Sequence, residues 1–132
     1  EFQTEIGNVT LYATIIGTQF TKKPYAENEL TNCISDCKRI FLESENLCLI
    51  GDLNTSFNAD EKYFEMAGIK SREALIALCR DCNFDITTGT ITENIDHILL
   101  SKNLLVKNKP RPSEFIAKDK VSDHRGVQVE FD

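Results

Sequence analysis

A chain of 132 residues has room for one core and one domain, 1–132, and its 41% hydrophobic and 27% charged content is ordinary for a globular protein. A formal net charge of −6 provides no overall basic field to attract nucleic acid, which weighs against a pure binding module. It leaves an acidic metal site open, because a bound cation supplies its own local positive charge.

No stretch approaches the roughly 18 apolar residues of a membrane span. Glu1-Phe2-Gln3-Thr4 has neither the basic start nor the apolar run of a signal peptide. Five cysteines, odd in number and set within apolar patterns, suit a reducing compartment, so a soluble, cytoplasmic protein is expected.

Along the chain, Phe2 to Ile6 and Val9 to Ile16 flank Gly7-Asn8 and predict a β-hairpin. Thr18 to Pro24 reads as a polar loop. Between Ala26 and Glu43, Leu30, Cys33, Ile34, Cys37, Ile40 and Phe41 recur at three- and four-residue spacing, the pattern of an amphipathic helix. Leu47 to Ile50, ending at Gly51, predicts a buried central strand. A short helix over Asp60 to Met66 precedes a second one from Ser71, as N-cap, to about Cys82, with Leu75, Leu78, Cys79 and Cys82 on one face. Ile95 to Leu100, Leu104 to Val106 and Gly126 to Phe131 are predicted strands. This order suggests an α+β fold, a mixed and mainly antiparallel sheet with helices on one face. A single helical layer would leave the other face of that sheet uncovered.

Three stretches carry the candidate chemistry: Gly51-Asp52-Leu53-Asn54, Ile95-Asp96-His97-Ile98 and Ser122-Asp123-His124-Arg125. Each adjoins an apolar run, so each delivers polar side chains at the mouth of a sheet on rigid backbone. Asp52 and Asn54 would point the same way if the strand continued through Leu53, pairing a group that binds a metal or takes a proton with an amide that donates to a phosphoryl oxygen. The ordinary alternative is an Asx-rich turn after a strand. Asp96 lies within an apolar strand, where a charge is costly unless paired or metal-bound. An imidazole near a carboxylate, as in Asp123-His124, can be oriented and held protonated toward a phosphate. His97 faces away from Asp96 and reads as packing or surface.

Taken jointly and in this order, the three motifs resemble the C-terminal half of the endonuclease/exonuclease/phosphatase superfamily, the deoxyribonuclease I-like and exonuclease III-like proteins, over roughly residues 9 to 131. The resemblance implies half of a four-layer α/β/β/α sandwich and a Mg²⁺- or Mn²⁺-dependent phosphoesterase, most plainly a nuclease. It implies that Asp52 orients or deprotonates the attacking water or touches the metal, and that Asn54 holds a non-bridging phosphate oxygen. Asp123 would be a metal ligand, and His124 would contact the scissile phosphate with Asp96 as its carboxylate partner. The partners implied are a phosphate-ester substrate, with nucleic acid among the options, and either an N-terminal half or a second copy of the chain covering the open sheet face. The chain departs from the family pattern at Ile15, where a His would fall, and at Gly126, where Pro is usual. The alternative reading is therefore a catalytically incomplete relative acting as a binding or assembly module.

Two further patterns have plainer readings. Cys33, Cys37, Cys79 and Cys82 lie on apolar helix faces without zinc-ribbon spacing, so they read as core rather than as a four-thiolate site. Lys102, Lys107, Lys109 and Arg111 carry no interleaved aromatic residue for base stacking and read as a solvated loop.

Overall fold

The computed structural model describes residues 1–17, 25–44, 46–58, 62–116 and 122–132. The loop expected over 18–24 lies outside these, as do residues 60 and 61 of the short helix expected over 60–66. The elements run β1 (Phe2–Thr4), β2 (Gly7–Ile15), α1 (Tyr25–Glu43), β3 (Leu47–Asp52), α2 (Lys62–Asp81), β4 (Phe84–Ile86), β5 (Asp96–Ser101), α3 (Lys102–Leu105), β6 (Pro110–Ile116) and β7 (Gly126–Phe131). Five strands form one sheet in the order β1-β2-β3-β5-β4, and β6 pairs with β7 in a separate two-stranded ribbon. Among the described residues only β2 and β3 run parallel, joined by the crossover through α1. Every other pairing is antiparallel.

The two faces of the large sheet have different fates. On the helix side, Leu47, Leu49 and Leu99 are buried against Leu30, Cys33 and Cys37 of α1 and Leu75, Leu78 and Cys79 of α2. The Tyr12 hydroxyl ties β2 to α1 by donating to Asp36 Oδ2 at 3.0 Å. On the other side, Val9, Cys48, Leu100 and Leu104 are buried with help from Val129 and Phe131 of the ribbon. That cover is partial. Leu11 and Ile15 are 42% and 71% exposed, and Phe2, Ile6, Leu11, Ile50 and Ile98 help line an open apolar trough of about 300 Å³.

Several elements differ from the sequence reading. The hairpin turn is Glu5-Ile6, since Thr4 pairs with Gly7. Gly7 opens β2 with φ +116°, a conformation suited to glycine, and Thr4 Oγ1 closes the corner on the Gly7 carbonyl at 2.6 Å. Ser71 is not an N-cap: it lies buried in the middle of α2, which begins at Lys62. That helix ends at Asp81, and two residues on Asn83, with a φ of +51°, gives it a left-handed stop. Leu104-Leu105-Val106 is not a strand, because β5 turns directly into the single turn of α3 and buries Leu104 beneath the ribbon. Two strands went unforeseen. β4 has only three residues. β6 contains Pro110 and Pro112, which a strand tolerates at an edge, and its start converts part of the expected basic loop into ribbon.

The five cysteines are free and buried, as packing residues are. Burial pushes the Cys48 thiol up to about 11 and the Cys79 thiol up to about 12, which keeps both protonated and unreactive.

Candidate functional site

The site begins where β3 meets β2 and β5. Gly51 has φ +143°, and a Cβ built there would stand 1.8 Å from the Thr14 carbonyl oxygen. Only glycine lets β2 approach so closely at this point. Pairing continues for one more residue, so Asp52 stands opposite Ile15 on one side and directly opposite Asp96 on the other. Two carboxylates thus face each other across neighbouring antiparallel strands, an arrangement that is unfavourable unless positive charge joins them.

After Asp52 the extended chain ends. Asn54 takes φ +46°, its backbone N–H donates to Asp52 Oδ1 at 2.9 Å, and its side-chain amide donates to the Ile16 carbonyl at 2.7 Å. This is an Asx turn, and it fixes both side chains at the rim of the sheet. Burial raises the Asp52 carboxyl above the usual carboxylate range. The Asn54 N–H opposes that shift, Asp96 adds to it and His124 again opposes it.

Asp96 is held by a second Asx arrangement that the sequence reading missed. Asn94 Oδ1 accepts from the Asp96 N–H at 3.3 Å, and Asn94 Nδ2 donates to the Asp96 carbonyl. The Asn-x-Asp spacing was the available signal. His97 points the other way and is fully buried, with Nε2 donating to the Thr55 carbonyl at 2.8 Å and Nδ1 accepting from the Thr88 hydroxyl at 3.1 Å. Its ring also meets Phe57 edge-on, with centroids 4.7 Å apart. His97 therefore pins the loop after Asp52 onto β5, a packing role and not a surface one.

The third motif arrives from the ribbon. The Ser122 hydroxyl accepts from the His124 N–H at 3.0 Å, and His124 Nδ1 lies 2.7 Å from Asp96 Oδ2. That hydrogen bond raises the imidazole above its ordinary value. Partial burial opposes the shift, while the charges of Asp96, Asp52 and Asp123 reinforce it. Asp52, Asp96 and His124 can each offer one ligand atom, and these atoms all lie within 4.8 Å of one another, a group that could hold a metal ion. Asp123 is exposed and outside that group of three. Among the described residues no cysteine belongs to such a group.

Comparison with known proteins yields a likeness of structure. No family profile and no curated protein matches the sequence. Solved structures do match. A variant of the 3′ phosphatase NExo from Neisseria, bound to a product DNA hairpin, superposes with a TM-score of 0.69 at 18% identity, over 94% of this chain and 60% of that one. The 3′-5′ exonuclease NExo from Neisseria meningitidis superposes with a TM-score of 0.69 at 20% identity, over 98% of this chain and 63% of that one. The chain therefore spans about three-fifths of the length of these proteins. It has, in part, the deoxyribonuclease I-like fold of nucleases and phosphatases: mixed α+β, with a mainly antiparallel sheet and its two long helices on one face.

Proposed function

We propose that this chain carries the phosphate-handling part of a divalent-metal-dependent phosphoesterase that hydrolyses a phosphodiester. The observation that carries the reading is the direct opposition of Asp52 and Asp96 at one sheet end, with His124 hydrogen-bonded to Asp96. A fold has little reason to press two carboxylates together on rigid strands unless a cation or an imidazolium sits between them. The likeness to NExo, named as a 3′ phosphatase and a 3′-5′ exonuclease, supports the same chemistry and nucleic acid as the substrate.

Carboxylate oxygens on fixed backbone suit a hard, oxygen-seeking ion, so Asp52 and Asp96 fit Mg²⁺ or Mn²⁺. Asp123, exposed and outside that group, would have to swing in to serve as a further ligand. When bound, such an ion supplies Lewis acidity and neutralises the charge that builds on the phosphoryl group. Asp52, with one oxygen already satisfied by the Asn54 N–H, uses the other to orient the attacking water and accept its proton. Asp96 fixes the tautomer and direction of the His124 ring, which donates from Nε2 to a non-bridging phosphate oxygen as charge develops there. Asn54, aimed by the Ile16 carbonyl, offers its second amide N–H to another of those oxygens. In-line attack on phosphorus needs little more than this positioning and charge compensation.

The open apolar trough supports a further part of the reading. This chain acts as the C-terminal half of a larger sandwich, with its open face covered by an N-terminal half or by a second copy. The same trough, with Ile15 exposed at the rim of the site, favours one competing reading: a catalytically incomplete relative that serves as a binding or assembly module.

A gel assay on a DNA hairpin ending in a 3′-phosphate, and on the unphosphorylated hairpin, tests the proposal. Mg²⁺-dependent release of phosphate or nucleotides is expected, abolished by EDTA, by Asp52→Ala and by His124→Ala. Hydrolysis that persists through both substitutions would overturn the assignment, and binding without hydrolysis would favour the module.

A further inference from the structure

The two segments that bring Asp96 and His124 together are the β4–β5 loop and the approach to β7, and one side chain joins them. Arg125 follows His124 directly. Its Nη1 donates to Glu114 Oε2 on β6, and its Nη2 reaches Glu93 Oε2 in the β4–β5 loop at 3.4 Å. The Arg125 side chain is 20% exposed, against 38% for His124. Glu93 adopts φ +50°, and the next residue is Asn94, which clamps Asp96 through its backbone. The chain of contacts therefore runs His124–Arg125–Glu93–Asn94–Asp96 and closes on itself through the imidazole–carboxylate bond.

We propose that Arg125, gripped by Glu93 and Glu114, is a positioning residue that holds the His124 loop over Asp96. Both of its terminal nitrogens are committed to carboxylates, so its charge is already answered and it is not the group that meets phosphate. A planar guanidinium can span two carboxylates on different segments, which the single nitrogen of lysine cannot do with the same geometry. Near the site this is a second polar tie between the ribbon side and the large sheet, beside the His124–Asp96 bond itself. Elsewhere the ribbon is held to the sheet by the apolar packing of Val129 and Phe131. The catalytic meaning of the tie rests on the phosphoesterase reading, whereas the tie itself does not.

The chain has two histidines, which makes the test direct. With ¹⁵N-histidine labelling of the metal-free protein at one fixed, mildly acidic pH, the His124 Nδ1–H is expected to be protected from solvent exchange, and Asp96→Asn removes that protection. Arg125→Met is expected to speed its exchange roughly tenfold, the scale of coupling lost when a shared network is cut. Arg125→Lys restores part of the protection, and Glu93→Gln gives a smaller loss. The buried His97 ring, held by Thr55 and Thr88, reports whether the fold is intact. If Arg125→Met disturbs His97, Glu93→Gln carries the test, since it leaves the contact with Glu114 in place. Where hydrolysis is measurable, Arg125→Met lowers kcat with KM little changed. Protection of the His124 N–H equal to the parent in both Arg125→Met and Glu93→Gln, with His97 undisturbed, would overturn the proposal. An inactive parent whose His124 N–H still responds to Arg125→Met would sink the phosphoesterase reading and leave Arg125's role standing.

Discussion

The helix side and the open side of the five-stranded sheet are built from the same strands, residue by alternate residue, and yet only one of them is a finished core. Leu47, Leu49 and Leu99 are closed over by α1 and α2, while Ile50 and Ile98, their neighbours by one position, stay half-buried and Leu11 and Ile15 remain exposed. Fold stability therefore resides chiefly on one face, and the polar site has been placed at the rim of the other. Asp52 and Asp96 gain from this. Their strands are rigid because Leu49 and Leu99 are packed, while their carboxylates escape the dry interior that those leucines create.

Truncating one leucine or isoleucine on each face should show the difference at its largest. Leu99→Ala should cost about 3 kcal/mol by chemical denaturation, whereas Ile98→Ala on the open face should cost about 1 kcal/mol. Equal losses would mean that the open face is covered in solution. The next largest effect is expected at the seam between the faces. Gly51→Ala forces a methyl into the Thr14 carbonyl and should cost about 2 kcal/mol or more, with β2 displaced from β3. A Tm unchanged within error would show that the strands part easily there.

Smaller effects should come from the charges. In EDTA, Asp52→Asn removes one of two opposed carboxylates and is expected to stabilise the protein by about 0.5 kcal/mol. The same substitution should erase any rise in Tm produced by Mg²⁺. Stabilisation by Mg²⁺ that survives the change would move the ion elsewhere. Smallest of all is the pH effect of His124. Its folded-state pKa is raised, chiefly by Asp96, so the pair adds stability that is fully present below the unfolded value of about 6.5. That contribution fades as pH rises through the raised value. The stability difference between the parent and His124→Gln, measured without metal, should therefore shrink as pH rises. Because the imidazole is more than a third exposed, solvent screening keeps the difference small.

What could be read in the sequence follows the same division. Helix α1 and strands β3, β5 and β7 were visible because their apolar residues answer to a local period, and the carboxylates of the site were visible because they interrupt or end those runs. Strand β6 was hidden by Pro110 and Pro112, which an edge strand can carry but which locally read as loop. Ser71 looked like a cap because it stands just before the apolar face of Leu75, Leu78, Cys79 and Cys82, although α2 is continuous from Lys62. The partners of the site residues were the hardest part to foresee. Asn94 lay within reach as an Asn-x-Asp turn, whereas the grip of Arg125 on Glu93 and Glu114 joins positions 32 and 11 residues apart and leaves no local trace.

The pairing of Asp52 with Asp96 also constrains how the sheet can assemble. Were β5 to slip by a single residue against β3, His97 would come to stand beside Asp52, and the carboxylate of Asp96 would swing into the helix-facing layer of Leu47 and Leu49 as Leu99 left it. An unpaired charge in that layer costs far more than the slip could return. The acid that equips the rim for chemistry thus also acts as a register stop, and a chain that has assembled the site has, by the same step, aligned its central strands.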